Sequence, residues 1–290
     1  MPAYQGENKM KVITTVKQMQ KTVQFLKKEG KQIGFVPTMG FLHDGHLSLV
    51  EKAKEHSDII VMSIFVNPLQ FGPSEDYDSY PQDIERDKQA AADAGVDIVF
   101  IPTVEEMYPE EMSINLSVVK RVNVLCGKNR VGHFDGVITV LSKFFHIVLP
   151  DQVYFGLKDA QQVAVVDGLI HDLYFPIELI TVDTVREEDG LAKSSRNVYL
   201  SNQERIEAVE LYKSLQVAKK AIIDGERNKQ TLIHLIKNHL QVKTNGKIDY
   251  IEIHSYPQLE PLETLNGTII IAVAVKFSKA RLIDNIILTI

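Results

Sequence analysis

Two histidines three residues apart follow the first predicted core strand, in residues 37–46 (PTMGFLHDGH). Glycine at positions 40 and 45 lets backbone approach a ligand closely, and the helix that follows offers unpaired N–H groups and its positive dipole end to a phosphate. Around the first helical turn, His43 and His46 can face the same phosphates and donate hydrogen bonds as negative charge develops there. A plain surface turn is the alternative. A zinc site is less favoured, because no third ligand is indicated nearby.

Two side-chain amides follow the next apolar strand, in residues 63–72 (SIFVNPLQFG). Asn67 and Gln70 carry both donors and acceptors, which suits the hydroxyl and carboxylate groups of a small substrate. A structural turn explains the segment equally well. Acidic residues beyond it, ending at Asp87, could form a Mg²⁺ environment, although an acidic surface loop is the more usual explanation.

A lysine lies at the end of a later strand, in residues 153–162 (VYFGLKDAQQ), downstream of the segment GHFDG at 132–136. We expect Lys158 to close that strand and Asp159 to cap the following helix, which puts the ammonium at the carboxyl edge of the sheet. A nucleotide phosphate would bind there, and Gln162 is one helical turn further on. A solvated loop lysine is the alternative.

A basic, hydroxyl-rich loop occupies residues 185–197 (VREEDGLAKSSRN). Its Lys193, Ser194, Ser195 and Arg196 have the side chains that clamp a triphosphate and stabilise charge during phosphoryl chemistry. A solvated basic loop or a domain linker would have a similar composition.

Short apolar runs alternate with helical periods from Ile33 to about residue 183, the pattern of a parallel sheet with crossover helices. An apolar stripe at residues 137–148, ended by Pro150, predicts one of the helices. The predicted strands occupy residues 33–37, 58–65, 97–101, 152–156 and 177–182.

The pattern changes after residue 184. Ser201 and Glu204 form a capping box that opens a helix ending near Gly225, and a second helix is predicted at 229–241. Two Asn-Gly turns then flank β-rich runs. The fold class is therefore α/β, with a Rossmann-like parallel-sheet domain at 10–184 followed by a smaller α+β domain at 185–290. Residues 1–9 are interpreted as an extension.

Composition narrows the class of protein. The chain has 290 residues, 44% of them apolar, a formal net charge of −6 and one cysteine, Cys126. A single cysteine excludes an internal disulfide and a cysteine-based zinc site, and it favours a reducing compartment, here the cytoplasm. No apolar run reaches the roughly 20 residues of a spanning helix. The scattered cations argue against nucleic acid as a partner.

Taken together, PTMGFLHDGH, SIFVNPLQFG, GHFDGV, YFGLKDAQQ and VREEDGLAKSSRNVYLS resemble, in order, the signature segments of the pantothenate synthetase family, which belongs to the HIGH-type nucleotidylyl transferases. The resemblance implies a Rossmann-like domain, a smaller C-terminal domain and a homodimer. It also implies a two-step reaction with Mg-ATP. Pantoate carboxylate attacks the α-phosphorus to give pantoyl adenylate and pyrophosphate, and the β-alanine amine then displaces AMP.

The family's residue roles can be carried over to matching positions. The resemblance implies that His46 is a proton donor, that Gln70 and Gln162 hold pantoate, and that Lys158 stabilises the transition state. Residues 193–196 would form a mobile clamp over the triphosphate, and Asp87 would lie near the metal. The implied ATP-binding residues are Met39, Gly40, Phe41, Leu42, His43, Asp44, Gly45, His46, Gly156, Leu157, Lys158, Asp159, Val185, Lys193, Ser194, Ser195 and Arg196.

One position departs from the family pattern, because Gln82 stands where arginine is common. We expect the loss of a local ion pair there to affect details of the loop and not the chemistry. Rival interpretations are another nucleotidylyl transferase, a class I aminoacyl-tRNA synthetase and a non-catalytic nucleotide sensor. The pair of glutamines favours a hydroxy acid over a phosphate ester. The chain is short and acidic for a tRNA-binding enzyme, and a sensor would not require both histidines, Lys158 and the basic loop.

Overall fold

The computed structural model describes residues 10–73 and 75–290. The predicted extension at residues 1–9 lies outside them. The chain forms two compact units, the first from the described part of Met1–Ser117 with Asp135–Phe155 and Asp172–Val182. The second unit comprises Val118–Phe134, Gly156–His171 and Asp183–Ile290. Within the described ranges, no helix is long and apolar enough to cross a membrane.

The first unit is built on one sheet. Its strands are β1 (Lys11–Ile13), β2 (Ile33–Thr38), β3 (Ile59–Ile64), β4 (Ile98–Phe100), β5 (Gln152–Gly156) and β6 (Glu178–Val182). Within the described residues the strand order is β1-β4-β3-β2-β5-β6. Strand β2 pairs in parallel with β3 on one side and with β5 on the other. The topological switch point therefore falls between β2 and β5, where open α/β sheets bind ligands beyond the carboxyl ends of the strands.

Alternating side chains of β2 face opposite layers of the first unit. Val36 belongs to a buried cluster with Leu49 and Ala91 from the helices on one side. Phe35 points the other way and meets Phe144 with ring centroids 5.5 Å apart. The α-helices are, in chain order, α1 (Val16–Lys28), α2 (Asp44–Ala53), α3 (Ile84–Asp93), α4 (Val104–Met107), α5 (Leu125–Asn129), α6 (His133–Val148), α7 (Ala160–Asp172), α8 (Asn202–Ile223) and α9 (Lys229–Lys243).

The second unit contains an antiparallel sheet of β7 (Lys247–Ser255), β8 (Thr268–Lys276) and β9 (Arg281–Thr289). One face packs against α8 and α9, through residues such as Leu215 and Ile236 against Ile271. The other face meets α5 and α7, where Leu125 and Ala164 are buried. Cys126 is buried beside this face, with its Sγ 3.4 Å from the Tyr250 hydroxyl and from the Arg281 guanidinium. Both faces being covered explains why β8 is an unbroken apolar run.

The predicted fold class is confirmed, and the five predicted core strands occur within one residue or so of their expected ends. Strand β1 was missed, because a three-residue edge strand is too short to show a period. One placement was wrong in detail: β5 ends at Gly156, and Lys158 lies beyond it in a 3-10 turn, Leu157–Asp159. The domain boundary at residue 184 stays a prediction.

The predicted capping box at the start of α8 is present. The Glu204 carboxylate accepts the backbone N–H groups of Ser201, at 2.9 Å, and Ser278, at 2.7 Å, and these bonds lower the pKa of Glu204 to about 2. Because the folded pKa lies below the unfolded value, the stabilisation is complete above the ordinary pKa of 4.5 and is lost as the pH falls toward 2.

Glutamine can still complete a capping box without titrating. We therefore expect Glu204→Gln to lose less free energy of unfolding than the wild type between about pH 6 and about pH 3, as measured by urea titration. An equal loss in both proteins would contradict this assignment.

Candidate functional site

The loop between β2 and α2 is held by Asp87 from α3. This carboxylate is fully buried, and its two oxygens accept the backbone N–H groups of Phe41 and Leu42, each at 2.7 Å. Gly40 has a φ of +84°, and a Cβ there would lie 2.8 Å from the Asp87 carboxylate, so glycine is required at this position. The guanidinium of Arg86 donates to the Leu42 carbonyl at 2.7 Å. The loop thus has a fixed backbone path from the end of the sheet to the helix.

His43 and His46 lie side by side at the start of α2, as predicted, with ring centroids 4.0 Å apart. They form a capping box: His43 Nδ1 accepts the Gly45 N–H at 3.1 Å, and His46 Nδ1 accepts the His43 N–H at 3.3 Å. A ring nitrogen that accepts a hydrogen bond carries no proton, so in each neutral ring the hydrogen is on Nε2. The cap therefore sets both tautomers and makes each Nε2–H a donor suited to phosphoryl oxygen.

Asn67 and Gln70 are joined in one buried network of the first unit. Asn67 is 1% exposed and donates from Nδ2 to the Gly136 carbonyl at 3.0 Å and to Gln70 Oε1 at 3.3 Å. The Tyr108 hydroxyl donates to Asn67 Oδ1 at 2.9 Å. Gln70 Nε2 contacts the sulfur of Met39 at 3.0 Å. The amide of Gln70 therefore has a defined orientation, with its oxygen toward Asn67 and its NH₂ group toward the β2–α2 loop.

Close packing supports this network. A Cβ at Gly136 would lie 2.2 Å from the Leu69 carbonyl and 2.6 Å from the Gln70 backbone nitrogen, so only glycine lets α6 approach the turn that carries Gln70. Burial raises the pKa of Tyr108, which keeps its hydroxyl protonated as a donor. The ammonium of Lys143 lies 4.6 Å from the Tyr108 ring centroid. Burial lowers the pKa of Lys143.

The contacts of Asp87 allow its two suggested roles to be separated. Asp87→Asn puts an NH₂ group against one of two backbone N–H donors, and we expect it to lower the free energy of unfolding by about 2–4 kcal/mol. A loosened loop should also raise the KM for ATP, the substrate that the family resemblance implies. If Asp87 acts on the loop, the rate of the ATP-dependent reaction in Asp87→Asn should depend on Mg²⁺ concentration as it does in the wild type. A shift of the Mg²⁺ titration to higher concentration, with the KM for ATP unaltered at saturating Mg²⁺, would instead favour the metal role.

Lys158 lies in the 3-10 turn of the second unit that leads into α7. Its ammonium is 3.8 Å from the Asp159 carboxylate, and its side chain is 22% exposed. Asn285 Nδ2 donates to the carbonyls of Leu157 and Lys158 at 3.0 and 2.9 Å. The two glutamines that follow have different surroundings. Gln161 is buried and donates to the carbonyls of Arg121 and Val124, so it has a structural role, whereas the predicted ligand Gln162 is half-buried on the next position of α7.

The basic loop begins as a small hairpin. Lys193 N–H donates to the Val185 carbonyl at 2.9 Å, and Arg186 forms an antiparallel bridge with Ala192. The Arg186 guanidinium makes a bidentate ion pair with Asp284, at 2.7 and 2.8 Å, and lies 3.6 Å from the Tyr212 ring centroid. Such a planar, two-bond contact fixes direction as well as distance. The hairpin is therefore anchored to β9.

The hydroxyl and cationic residues follow the hairpin directly. The Lys193 ammonium lies 3.0 Å from the Glu187 carboxylate. The Ser194 hydroxyl accepts the Arg196 N–H at 3.3 Å and caps the 3-10 turn Ser195–Tyr199. Ser195 itself is buried. Since Glu187 already neutralises Lys193, an incoming phosphate has to compete with this carboxylate for the ammonium.

The structure groups the sequence-predicted residues as two sets, one in each unit. The first unit contains Met39, Gly40, Phe41, Leu42, His43, Asp44, Gly45, His46, Asn67, Gln70 and Asp87. The second unit contains Gly156, Leu157, Lys158, Asp159, Gln162, Val185, Lys193, Ser194, Ser195 and Arg196. Sequence reasoning missed Tyr108, Arg186, Asp284 and Asn285, which orient these residues. Tyr108 has no local sequence signal, whereas adjacent Asp and Asn inside the apolar strand β9 form a detectable exception to its pattern.

Comparison with known proteins identifies the family. Residues 11–287 match the family described as Pantoate-beta-alanine ligase. The chain is 62% identical over 281 residues to pantothenate synthetase of Geobacillus sp. (strain WCH70), covering 97% of this chain and 100% of the relative.

Solved structures agree with that assignment. A pantothenate synthetase from Thermus thermophilus has a TM-score of 0.90 at 43% identity, covering 96% of this chain and 99% of that one. A pantoate-beta-alanine ligase from Francisella tularensis, complexed with beta-gamma ATP and beta-alanine, has a TM-score of 0.78 at 34% identity over 96% and 97% of the two chains. From these matches, which span nearly its whole length, we conclude that the chain belongs to the pantoate-beta-alanine ligase family.

Proposed function

We propose that this protein condenses pantoate with β-alanine in an ATP-dependent reaction, through a pantoyl-adenylate intermediate, releasing AMP and pyrophosphate. The observation that carries the proposal is the match of residues 11–287 to the family. Its chemistry is physically reasonable, because a carboxylate is a poor acyl donor. Exchanging a carboxylate oxygen for an AMP leaving group makes amide formation feasible without a covalent enzyme intermediate.

We assign the histidine pair to the ATP phosphates. Because Nδ1 of each ring accepts a backbone N–H in the capping box, Nε2–H of His43 and of His46 is the hydrogen-bond donor. Hydrogen bonds to phosphoryl oxygens strengthen as negative charge develops there in the transition state. The β2–α2 loop, from Met39 to Leu42, supplies backbone for the nucleotide. Of the two, His46 is proposed as the proton donor to the departing pyrophosphate because the family resemblance gives that role to its position; the caps do not distinguish the rings, since each Nδ1 accepts a backbone N–H.

We assign Lys158 to the phosphate that is attacked, and residues 193–196 to the rest of the triphosphate. An ammonium on a fixed turn neutralises growing charge without reorganising during the reaction. Gly156, Leu157, Asp159 and Val185 belong to the same proposed nucleotide set. Gln70, Gln162 and Asn67 are proposed to bind pantoate and β-alanine, with the oriented amide of Gln70 as the principal contact.

The family implies Mg²⁺ as well as ATP. Across residues 10–73 and 75–290, no group of three or more His, Cys, Asp or Glu side chains is arranged to hold a metal ion. Both oxygens of Asp87 accept backbone N–H groups, although each retains a further lone pair. The residues therefore fit a Mg²⁺ ion carried mainly by phosphate oxygens and water, where it would neutralise phosphate charge. Asp87 is at most one additional ligand.

A product assay tests the function. With ATP and pantoate, pyrophosphate should form and adenylate should remain bound, and free AMP should accumulate only after β-alanine is added. A nucleotide sensor would release neither product. Failure to form pyrophosphate with pantoate, together with turnover of another small acid, would contradict the substrate assignment.

We further propose that the protein acts in the cytoplasm as a homodimer, and light scattering at micromolar concentration tests the dimer.

A further inference from the structure

A buried asparagine of β9 contacts the turn that carries Lys158. Asn285 is 8% exposed, and its Nδ2 lies 3.0 Å from the Leu157 carbonyl and 2.9 Å from the Lys158 carbonyl. An amide NH₂ group has two hydrogens, so the two bonds use its full donor capacity. One side chain thereby fixes two successive peptide planes of the turn.

The anchor itself is rigid. Asn285 is paired with Ala272 of the central strand β8, and its backbone N–H donates to the Asp284 carboxylate at 2.8 Å. Asp284 is 3% exposed and holds Arg186 through two short bonds. Adjacent residues of one strand thus hold the Lys158 turn and the hairpin that precedes residues 193–196.

Among the residues that the structure describes, the Lys158 ammonium has one ion-pair partner, and that contact orients it only weakly. Its ion pair with Asp159 is long, at 3.8 Å, and the Asp159 side chain is 52% exposed. Such contacts contribute little energy and little orientation. The direction of a lysine side chain then depends on the backbone that carries it, and here the backbone is set by Asn285.

We infer that Asn285 is a positioning residue for adenylate formation, acting by holding the peptide planes of Leu157 and Lys158 so that the Lys158 ammonium meets the attacked phosphate. The inference rests on the proposed role of Lys158. Displacement of a catalytic group by about 1 Å can cost on the order of 100-fold in rate. Loss of the Asn285 bonds should therefore slow the first step of the reaction without removing any group that touches substrate.

A double-mutant cycle tests the inference, with pyrophosphate release from ATP and pantoate as the readout. We expect Asn285→Ala to slow adenylate formation about ten- to a hundredfold in protein that carries Lys158. In the Lys158→Ala background the same substitution should change the rate less than about twofold, because the group it positions is gone. Asn285→Ser keeps one donor and should fall between the wild type and Asn285→Ala; it replaces the alanine variant in the cycle if that variant does not fold.

Asn245 provides a control for the loss of an asparagine hydrogen bond away from the Lys158 turn. It is also an asparagine of the second unit, and its Nδ2 donates to Glu207 at 2.7 Å. Asn245 is exposed, so Asn245→Ala should lower the thermal midpoint less than Asn285→Ala, and it should leave adenylate formation within about twofold of the wild type. The inference about Asn285 would be overturned, and the role of Lys158 kept, by either of two results. One is a double mutant whose rate loss equals the product of the two single losses; the other is a folded Asn285→Ala protein with the wild-type rate. A wild-type rate in the single variant Lys158→Ala would overturn the role of Lys158 and the inference with it.

Discussion

Replacing Lys158 by alanine is expected to slow adenylate formation by roughly 10²- to 10³-fold at saturating ATP and pantoate. The cause is the loss of a fixed positive charge where negative charge grows on the attacked phosphate. In a site from which water is excluded, such a charge stabilises the transition state by several kcal/mol more than the same charge would in bulk water. Rapid-quench measurement of pyrophosphate in a single turnover isolates this step from the later transfer to the amine.

The stability of the Lys158 variant should change little. The lysine is partly exposed and its ion pair with Asp159 is 3.8 Å long, so its removal should change the free energy of unfolding by less than about 1 kcal/mol. Lys158→Arg keeps the charge but places a larger, planar group on the same turn, and we expect it to recover only part of the rate. Lys213→Ala, a change to an exposed lysine of α8, is the matched control and should be fully active. A Lys158→Ala enzyme that formed adenylate at the wild-type rate would show that this ammonium does not act on the phosphate.

The second large effect is expected for His46→Ala, with adenylate formation slowed roughly 10²-fold or more. The variant loses one Nε2–H donor and also the acceptor for the His43 N–H at 3.3 Å. Loss of that capping bond should cost about 1 kcal/mol of stability, far too little to explain the kinetic effect through unfolding. The measurement is pyrophosphate release in a single turnover, alongside a urea titration of the same protein.

Two comparison variants make the His46 result interpretable. His56→Ala removes an exposed histidine just beyond α2 and should leave the rate unchanged. His46→Asn retains polar atoms near the cap, so it should restore stability more completely than activity. The assignment fails if His46→Ala loses activity only in proportion to its unfolded fraction, because the histidine would then be a helix cap and nothing more.

Local patterns in the sequence were sufficient for the elements that carry the site. The apolar run of β2, followed by glycines and the histidine pair, predicted a strand, a turn and a helix start, and all three are present. The Ser201 capping box was predicted for the same reason, since its two partners are three residues apart. Periodicity and capping depend on residues a few positions apart, so both can be predicted from the local sequence.

Contacts between distant residues could not be predicted in this way. Asp87 reaches a loop about 45 residues earlier, and Asn285 holds carbonyls more than 120 residues earlier. Neither spacing leaves a periodic signal, and a polar side chain in sequence does not reveal which backbone groups it will satisfy. The use of histidine as a cap was also unforeseen, because Ser, Thr, Asp and Asn are the usual residues there. The predicted roles of individual site residues remain predictions until the variants are measured.

The surroundings of Cys126 have a practical consequence for spectroscopy. It is the only thiol in the sequence, and it is buried with its sulfur against Tyr250 and Arg281. Maleimide dyes react with accessible thiolates, so the native protein should give little background labelling. A cysteine introduced on the basic loop would then be a unique attachment point for a fluorophore. Movement of residues 193–196 during turnover could be followed by fluorescence without first removing the native thiol.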